Sequence, residues 1–409
     1  MDTQKMANDA AITGRKPFDS LEARTQVIKI RNLEEVSQAE TINLPKLSVA
    51  PADKYKFIRS IGFGGMKSVL LVRDKDSARN VAMATIPDFK ERTQVELDRF
   101  IREARITARL EHPNIVPIHD IGLDSAGAPY FTMKFLRGTS LATVIRKLRD
   151  GDKNIVEKYN TDQLMLVFRR ICNAIAFAHS QNIIHLDLKP DNIHIGEFGE
   201  VLVLDWGLAK FMDDHDREDE EEEESMTAEA ESQAKSDAGK QNIFATLDGV
   251  AKGTPGYMAP EQAAGKNNEK DARTDIYALG AILYSMLTFK SPFAGNELNE
   301  VLKNTILGKL EHEEFVNPTR PIPEALAAIC RKALARNPGN RYNSVDELRQ
   351  EIKAYMGGYA PEAEQASPLK KSILWINRHI LAILISIVVA WALLLGAMLV
   401  LFVVGKISI

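Results

Sequence analysis

The stretch HLDLKPDN, residues 185–192, is the part of the sequence that decides the fold. It follows TDQLMLVFRRICNAIAFAHSQ, residues 161–181, whose apolar spacing predicts a helix with Thr161 as its N-cap. It precedes a short hairpin pattern that ends in LDWG, residues 204–207. The stretch is therefore predicted to be a loop between a helix and a hairpin, a common position for functional side chains.

The polar residues of this region suggest a phosphate chemistry. Asn192 and Asp205 come from the two ends of the hairpin, and both offer the oxygen ligands that Mg²⁺ prefers. Asp187 is placed to accept a hydroxyl proton, and Lys189 is placed to neutralise charge on a transferring phosphoryl group. Taken alone, D-x-K-P-x-N is also the pattern of an ordinary polar loop.

Three further motifs follow this loop along the sequence. The loop is followed in order by GTPGYMAPE at 253–261, TDIYALG at 274–280 and RNPGNRY at 336–342. Chance agreement of all of these is negligible. From residue 54 the sequence first reads as strands with one helix, and after about residue 140 it reads mainly as helices. A small, mostly β lobe followed by a larger helical lobe makes a cleft between the two.

Over residues 54–356 the sequence resembles the protein kinase superfamily, specifically the eukaryotic-like serine/threonine kinases of bacteria. The resemblance implies an α+β, bilobal fold, with ATP and Mg²⁺ as cofactors and protein Ser/Thr hydroxyls as substrates. No nucleic-acid partner is expected. The catalytic residues that it implies are the base Asp187, the phosphate contact Lys189, the helix glutamate Glu103 and Thr254, which would hold Asp187 and Lys189.

The resemblance also implies a nucleotide site between the lobes. Its residues are Ile61, Gly62, Gly64, Gly65, Val69, Ala82, Met133, Lys134 and Leu136, with Asn192 and Asp205 as Mg²⁺ ligands. Within this set Met133 resembles a gatekeeper, and residues 134–136 resemble the hinge that binds adenine. Outside the nucleotide site, the resemblance implies that Glu261 pairs with Arg341 and that Asp275 braces the catalytic loop.

Three positions depart from the family pattern. Trp206 replaces the Phe of D-F-G, which keeps an aromatic side chain at that position. Leu186 replaces the Arg of H-R-D, which in the family pairs with a phosphorylated activation loop, so activation by that route is not expected. Ala84 stands where V-A-I-K has the lysine that grips the nucleotide phosphates and bonds Glu103.

Lys67 offers a replacement for the missing lysine. It stands where a third glycine would complete G-x-G-x-x-G in IGFGGMKSV, residues 61–69. Because side chains alternate along strands, Lys67 shares a face with Val69, and Ala84 shares one with Ala82. Both faces are predicted to line the cleft, with a hole at Ala84 that the Lys67 ammonium compensates from the adjacent strand.

The with-no-lysine kinases resemble this chain at both of these positions, so Lys67 is predicted to hold the phosphates and bond Glu103. Two alternatives remain open at this point. One is a pseudokinase that binds nucleotide or partners without catalysis. The other is a kinase of small molecules, which GTPGYMAPE disfavours because this motif resembles a peptide-docking segment.

Acidity is concentrated in one segment. Residues 213–231, the acidic run, hold twelve acidic residues against a single arginine, whereas the formal charge of the whole chain is −4. The run belongs to a predicted disordered insertion, residues 212–245, because its composition offers too little apolar surface to fold alone. Two interpretations stay open: a solvated insertion, or a tethered acidic strand that attracts basic substrates or competes with ATP.

The last part of the sequence predicts a membrane anchor. Ile380 to Val404 contains no charged residue, and a helix of this length crosses the hydrocarbon core. The predicted divisions are a flexible arm at 1–53, a kinase domain at 54–356, a juxtamembrane linker at 357–378, a transmembrane helix at 379–404 and a short extracytoplasmic tail at 405–409.

The flanks of the anchor predict its orientation. Basic residues are more numerous on its N-terminal side, so a single-pass protein of the cell membrane with a cytoplasmic kinase domain is expected. Ala392 and Gly396 form a small-xxx-small pair that favours a homodimer. Cys172 and Cys330 lie in apolar helical patterns and need no disulfide, which fits a reducing compartment.

Overall fold

The computed structural model of the chain describes residues 54–63, 67–212, 254–266, 269–293, 298–310, 315, 317 and 319–407. The predicted arm at 1–53, and the predicted insertion beyond Met212, lie outside these residues. Within the described residues a β-rich lobe precedes a helical lobe. The predicted α+β, bilobal architecture is therefore confirmed.

The smaller lobe is built on a five-stranded antiparallel sheet with the strand order β1-β2-β3-β5-β4. Its strands are β1 (Tyr55–Phe63), β2 (Ser68–Asp74), β3 (Arg79–Thr85), β4 (Ile118–Leu123) and β5 (Pro129–Lys134). In the register of the sheet Val69 lies opposite Ala84, and Ala82 lies opposite Met133. The central strands thus carry the residues that were predicted to face the nucleotide.

Helix α1 (Gln94–Arg109) packs against this sheet. Thr93 caps it, because the threonine hydroxyl accepts a hydrogen bond from the Glu96 N–H at 3.3 Å and the Glu96 carboxylate accepts one from the Thr93 N–H at 2.9 Å. The apolar cluster between helix and sheet consists of Ala84, Ile86, Phe100, Ala104 and Phe131. This packing fixes α1, and with it Glu103, relative to the central strands.

The larger lobe holds five short strands and most of the helices. The strands are β6 (Gly138–Ser140), β7 (Ile183–Ile184), β8 (Ile193–Gly196), β9 (Val201–Val203) and β10 (Lys210–Phe211). The helices are α2 (Leu141–Arg149), α3 (Lys153–Lys158), α4 (Thr161–Ser180), α5 (Pro260–Ala263), α6 (Ala272–Thr288), α7 (Leu298–Leu307), α8 (Glu324–Ala333) and α9 (Val345–Met356). Every residue of α6 from Thr274 to Thr288 is buried, so this helix lies at the centre of the lobe.

Helix α4 begins differently from the prediction. Thr161 is its first helical residue rather than its N-cap, so that prediction is wrong. The cap is Asn160, whose side-chain oxygen accepts a hydrogen bond from the Gln163 N–H at 2.9 Å. Asn and Thr are both favoured at this position, and the extended backbone of Asn160 decides between the two neighbours.

A buried ion pair joins α5 to the loop before α9. The Arg341 guanidinium donates to both oxygens of Glu261 at 2.8 Å, and the side chains are 0% and 4% exposed. The same guanidinium donates to the carbonyls of Arg273, Ala335 and Arg336. The predicted Glu261–Arg341 pair is therefore confirmed, and its charges are compensated by hydrogen bonds on every side.

The last helix, α10 (Pro368–Ile407), is longer than predicted. The linker was predicted to continue to residue 378, but the helix begins ten residues earlier, where the Ser367 hydroxyl accepts a hydrogen bond from the Lys370 N–H at 3.3 Å. Proline is well tolerated in the first helical turn, which makes Pro368 a start signal rather than a linker residue. Residues 368–378 of the predicted linker are therefore helical, and the boundary of the membrane-spanning part at 379 stays a prediction.

The first turns of α10 pack against the segment that follows α9. The Arg378 guanidinium lies 3.7 Å from the centre of the Tyr359 ring and donates to the Gly358 carbonyl at 2.7 Å. Lys370 forms an ion pair with Glu364, whose side chain is almost fully buried. Within the described residues, 368–399 is the one helix that is long and apolar enough to cross a membrane, with a mean hydropathy of 2.8.

Candidate active site

The loop at 185–192 is held by a buried carboxylate. Asp275 at the start of α6 accepts hydrogen bonds from the N–H groups of His185 and Leu186 at 2.8 and 2.9 Å. His179 Nε2 lies 2.8 Å from the same carboxylate. Leu186 has a φ of 63°, a strained value for a leucine that these contacts hold in place. Asp275 thus braces the loop, as the resemblance implied.

Asp187, Lys189 and Thr254 form a closed triangle of hydrogen bonds. Lys189 Nζ donates to Asp187 Oδ2 at 2.7 Å and to Thr254 Oγ1 at 2.6 Å, and Thr254 Oγ1 donates to Asp187 Oδ1 at 2.8 Å. The three residues come from two separate segments of the chain. Their convergence sets a carboxylate and an ammonium side by side at the cleft.

Asn192 and Asp205 suit a divalent cation that also binds phosphate. Asn192 Nδ2 donates to the Asp187 carbonyl at 2.9 Å, which leaves its Oδ1 as the amide atom available to a cation. Among the described residues, there is no cluster of three or more His, Cys, Asp or Glu side chains that could hold a metal ion by itself. One amide oxygen and one carboxylate, completed by phosphate oxygens and water, fit Mg²⁺.

Lys67 bridges two carboxylates across the cleft. Its Nζ lies 2.5 Å from Glu103 Oε1 on α1 and 2.8 Å from Asp205 Oδ1. Burial lowers the pKa of Lys67, but the two carboxylates outweigh it and the pKa lies above its ordinary value. Burial likewise raises the pKa of Asp205, but the Lys67 ammonium outweighs it and holds that pKa below its ordinary value. Both groups are therefore charged at neutral pH.

Ala84 does not border a hole. It is fully buried in the apolar cluster, where it packs with Phe100 of α1 and Phe131 of β5. The prediction of an empty space at this position is wrong, because the aromatic side chains close over the small alanine.

The nucleotide-side residues share the central sheet. Met133, the predicted gatekeeper, lies opposite Ala82 near the end of β5 and packs against the apolar cluster. The Lys134 N–H donates to the Pro117 carbonyl at 3.2 Å, which fixes the start of the predicted hinge. Ile61 and Gly62 lie at the end of β1.

Two of the predicted nucleotide residues, Gly64 and Gly65, lie outside the described residues. Leu136 falls between β5 and β6, on the segment that joins the two lobes.

Trp206 is built into the core beneath the site. It is 1% exposed, and its ring centre lies 4.5 Å from that of His185. Two residues at the 185–192 loop, His185 and Gln262, were not predicted to take part in the site. The Gln262 side-chain amide donates to the Leu186 carbonyl at 2.8 Å. His185 Nδ1 accepts a hydrogen bond from the Asp187 N–H at 3.2 Å, so both residues position the loop. Their signals in the sequence were the places of His185 within HLDLKPDN and of Gln262 directly after GTPGYMAPE.

Comparison with known proteins agrees with this geometry. A family model described as the protein kinase domain matches residues 55–352, well over half of the chain. The chain therefore belongs to the protein kinase family.

Two bacterial kinases are among the proteins that the chain resembles. The serine/threonine-protein kinase PknD of Protochlamydia amoebophila is 42% identical over 312 residues, which are 75% of this chain and 30% of that protein. PknD of Chlamydia trachomatis serovar D is 38% identical over 314 residues, 75% of this chain and 32% of that protein. The chain thus spans about a third of the length of these relatives. The predicted resemblance to bacterial serine/threonine kinases is confirmed, and the relocation of the lysine stays a prediction.

Proposed function

We propose that the chain is a serine/threonine protein kinase that uses ATP and Mg²⁺ and takes its phosphate-binding lysine from the residue directly before β2. The observation that carries this proposal is the Lys67 ammonium, which contacts both Glu103 and Asp205. In the family this ion pair and the Mg²⁺-binding aspartate must both be in place for activity. Here one side chain meets both of those carboxylates.

The arrangement assigns a role to each charged group. Asp187 accepts the proton of a substrate hydroxyl while the hydroxyl oxygen forms a bond to the γ-phosphorus of ATP. At the same time the bond from that phosphorus to the β,γ-bridging oxygen breaks. Lys189 and Lys67 stabilise negative charge on the phosphate oxygens. Asn192 and Asp205 would hold Mg²⁺, which when bound neutralises charge on the phosphates.

The segment after Thr254 supports a protein substrate. It leads directly into α5, which the buried Glu261–Arg341 pair fixes to the lobe. Tyr257 O–H lies 3.2 Å from the Ser285 hydroxyl of α6, and Met258 is buried. A rigid platform that starts at a catalytic threonine suits an extended peptide better than a small molecule, whose binding needs an enclosed pocket.

Autophosphorylation tests this function. The full chain in detergent micelles or nanodiscs, supplied with labelled ATP and Mg²⁺, is expected to incorporate phosphate on Ser and Thr. Asp187→Asn is expected to lower the rate by roughly 10²–10⁴, the usual contribution of a general base. The matched control is Asp191→Asn, which changes an exposed neighbouring carboxylate. A wild-type chain that binds Mg·ATP without transfer would support the pseudokinase alternative instead.

We further propose that α10 anchors the chain in the cell membrane with the kinase domain in the cytoplasm. The support is the apolar stretch of α10 and the basic residues on its N-terminal side. Protease added outside intact cells is expected to leave residues 1–370 undigested, as measured by immunoblot with an antibody to the kinase domain. Digestion of that domain without lysis would overturn the orientation.

A further inference from the structure

The short helix α5 reaches the catalytic loop through one buried side chain. The amide Nε2 of Gln262 donates a hydrogen bond to the Leu186 carbonyl at 2.8 Å. Its Oε1 accepts a hydrogen bond from the Ala259 N–H at 3.2 Å, which closes the start of α5. Both ends of the amide are therefore used, one on its own helix and one on the loop that carries Asp187.

The backbone that carries Gln262 is fixed to the rest of the lobe. Its neighbour Glu261 is held by the buried Arg341, and it also accepts a hydrogen bond from the Thr274 hydroxyl at 3.0 Å. Gln262 therefore extends from a fixed point toward the loop. Its amide presents a donor to the Leu186 carbonyl at one place only, so the position of α5 sets the position of that carbonyl.

Leu186 is the residue of the loop that needs such a restraint. Its positive φ is costly for a leucine, and a residue in this conformation persists only where its surroundings hold it. Asp275 accepts a hydrogen bond from the Leu186 N–H, and Gln262 donates one to the Leu186 carbonyl. The strained residue is thus held on both sides of its backbone, and the next residue is the proposed base Asp187.

The segment at 254–262, here called the docking segment, is attached to the loop at a second point. Thr254 donates a hydrogen bond to the Asp187 carboxylate and accepts one from Lys189. The docking segment thus contacts the loop at both of its ends, through the side chain of Asp187 at Thr254 and through the backbone one residue earlier at Gln262. A peptide bound on this segment would rest on the same structure that orients the base.

We propose that Gln262 is a positioning residue for phosphoryl transfer, which joins the docking segment to Asp187 through Leu186 and keeps the base aligned without a phosphorylated residue. In the family an arginine at the position of Leu186 pairs with a phosphorylated activation loop. Leu186 has no charged group for that contact, and its carbonyl receives the Gln262 amide instead. The inference rests on the proposed kinase function for its effect on catalysis.

Gln262→Met tests the role in catalysis, because methionine has a similar length but offers neither the donor nor the acceptor of the amide. In the full chain in nanodiscs, kcat with a peptide substrate is expected to fall by roughly 10²-fold, the cost of a small misplacement of a catalytic group. The KM for ATP is expected to stay at its wild-type value, because Lys67 and Asp205 lie on other segments. An unchanged kcat, or a KM for ATP that rises as much as kcat falls, would overturn the positioning role.

Asn317→Leu is the matched control. The Asn317 amide also joins two parts of the helical lobe, because it donates to the Leu287 carbonyl and accepts a hydrogen bond from the Thr319 N–H at 2.9 Å. Both of these partners lie outside the catalytic loop and the docking segment. This variant is expected to keep the wild-type kcat. A loss equal to that of Gln262→Met would show general damage to the lobe and would count against the proposal.

Hydrogen exchange tests the restraint whether or not the chain transfers phosphate. The backbone N–H groups of residues 185–187 are all hydrogen-bonded, so their exchange reports opening of the loop. In Gln262→Met the exchange of the peptide that covers residues 183–192 is expected to become about tenfold faster, the effect of losing one hydrogen bond. In Asn317→Leu it is expected to stay unchanged. Equal exchange in Gln262→Met and wild type would overturn the inference even for a pseudokinase.

Phosphatase treatment tests the independence from phosphate. The wild-type chain is freed of phosphate, as verified by mass spectrometry, and its initial rate with a peptide substrate is measured before it can phosphorylate itself again. The dephosphorylated chain is expected to keep its kcat, because the Gln262 contact with Leu186 involves no phosphate. A loss as large as that of Gln262→Met would show that the base is aligned by a phosphorylated residue, and would overturn the role assigned to Gln262.

Discussion

Lys67→Gly is expected to lower kcat/KM for ATP-dependent phosphorylation by roughly 10²–10³, the cost of losing one preorganised donor to developing charge. The glycine restores the ordinary phosphate-loop pattern, so a loss of this size would come from the missing ammonium and not from the loop backbone. Lys67→Ala is expected to lose the same amount. The measurement is steady-state kinetics with a peptide or protein substrate, with Lys75→Ala, an exposed lysine beyond β2, as the control.

Ala84→Lys supplies the second half of this test. Alone it is expected to harm activity, because its stem must enter the cluster around Phe100 and Phe131 and its ammonium would crowd Lys67 beside Glu103. Combined with Lys67→Gly it is expected to recover part of the loss, a non-additivity that shows one shared role. Full activity of Lys67→Gly would refute the relocation of the lysine.

Arg341→Leu is expected to destabilise the kinase domain by about 3–5 kcal/mol, the usual cost of leaving one partner of a buried pair without its counter-charge. Glu261 is 5% exposed and would keep only the hydrogen bond from Thr274. The free energy of unfolding is measured by urea titration of the full chain. The double variant Glu261→Leu, Arg341→Leu is expected to lose less than Arg341→Leu alone, because no orphan charge remains.

A surface pair provides the control for this experiment. Arg331 and Glu324 make the same kind of ion pair at 2.8 Å, but their side chains are 47% and 62% exposed. Arg331→Leu is expected to change the free energy of unfolding by about 1 kcal/mol or less. Equal losses for Arg331→Leu and Arg341→Leu would show that burial of the pair is not what stabilises the lobe.

The order of the sequence motifs was enough to predict most of the fold. The loop at 185–192 followed from residue types between a predicted helix and a predicted hairpin, whereas the Glu261–Arg341 pair was implied by the resemblance to the kinase family. Strand alternation also placed Lys67 on the side of the sheet that faces Glu103, where the structure has it. Such inferences need only the period of a strand and the register of its neighbour.

The packing of side chains was harder to predict than the positions of the motifs and strands. The closure of Phe100 and Phe131 over Ala84 depends on side chains from α1 and β5, far apart in the sequence. The closure over Ala84 is decided by tertiary neighbours, whereas the signals at Asn160 and at Ser367 and Pro368 are local and were passed over in favour of their neighbours.

The packing of Arg378 on Tyr359 has a consequence for where the enzyme works. With α10 in the bilayer, the helical residues 368–379 form a stiff post of about 18 Å between membrane and kinase domain. A flexible linker would let the domain take many distances from the membrane. A helix whose Arg378 donates a hydrogen bond to the Gly358 carbonyl keeps the domain at one distance from it. Under the proposed anchoring, phosphorylation sites would be selected by their height above the lipid surface.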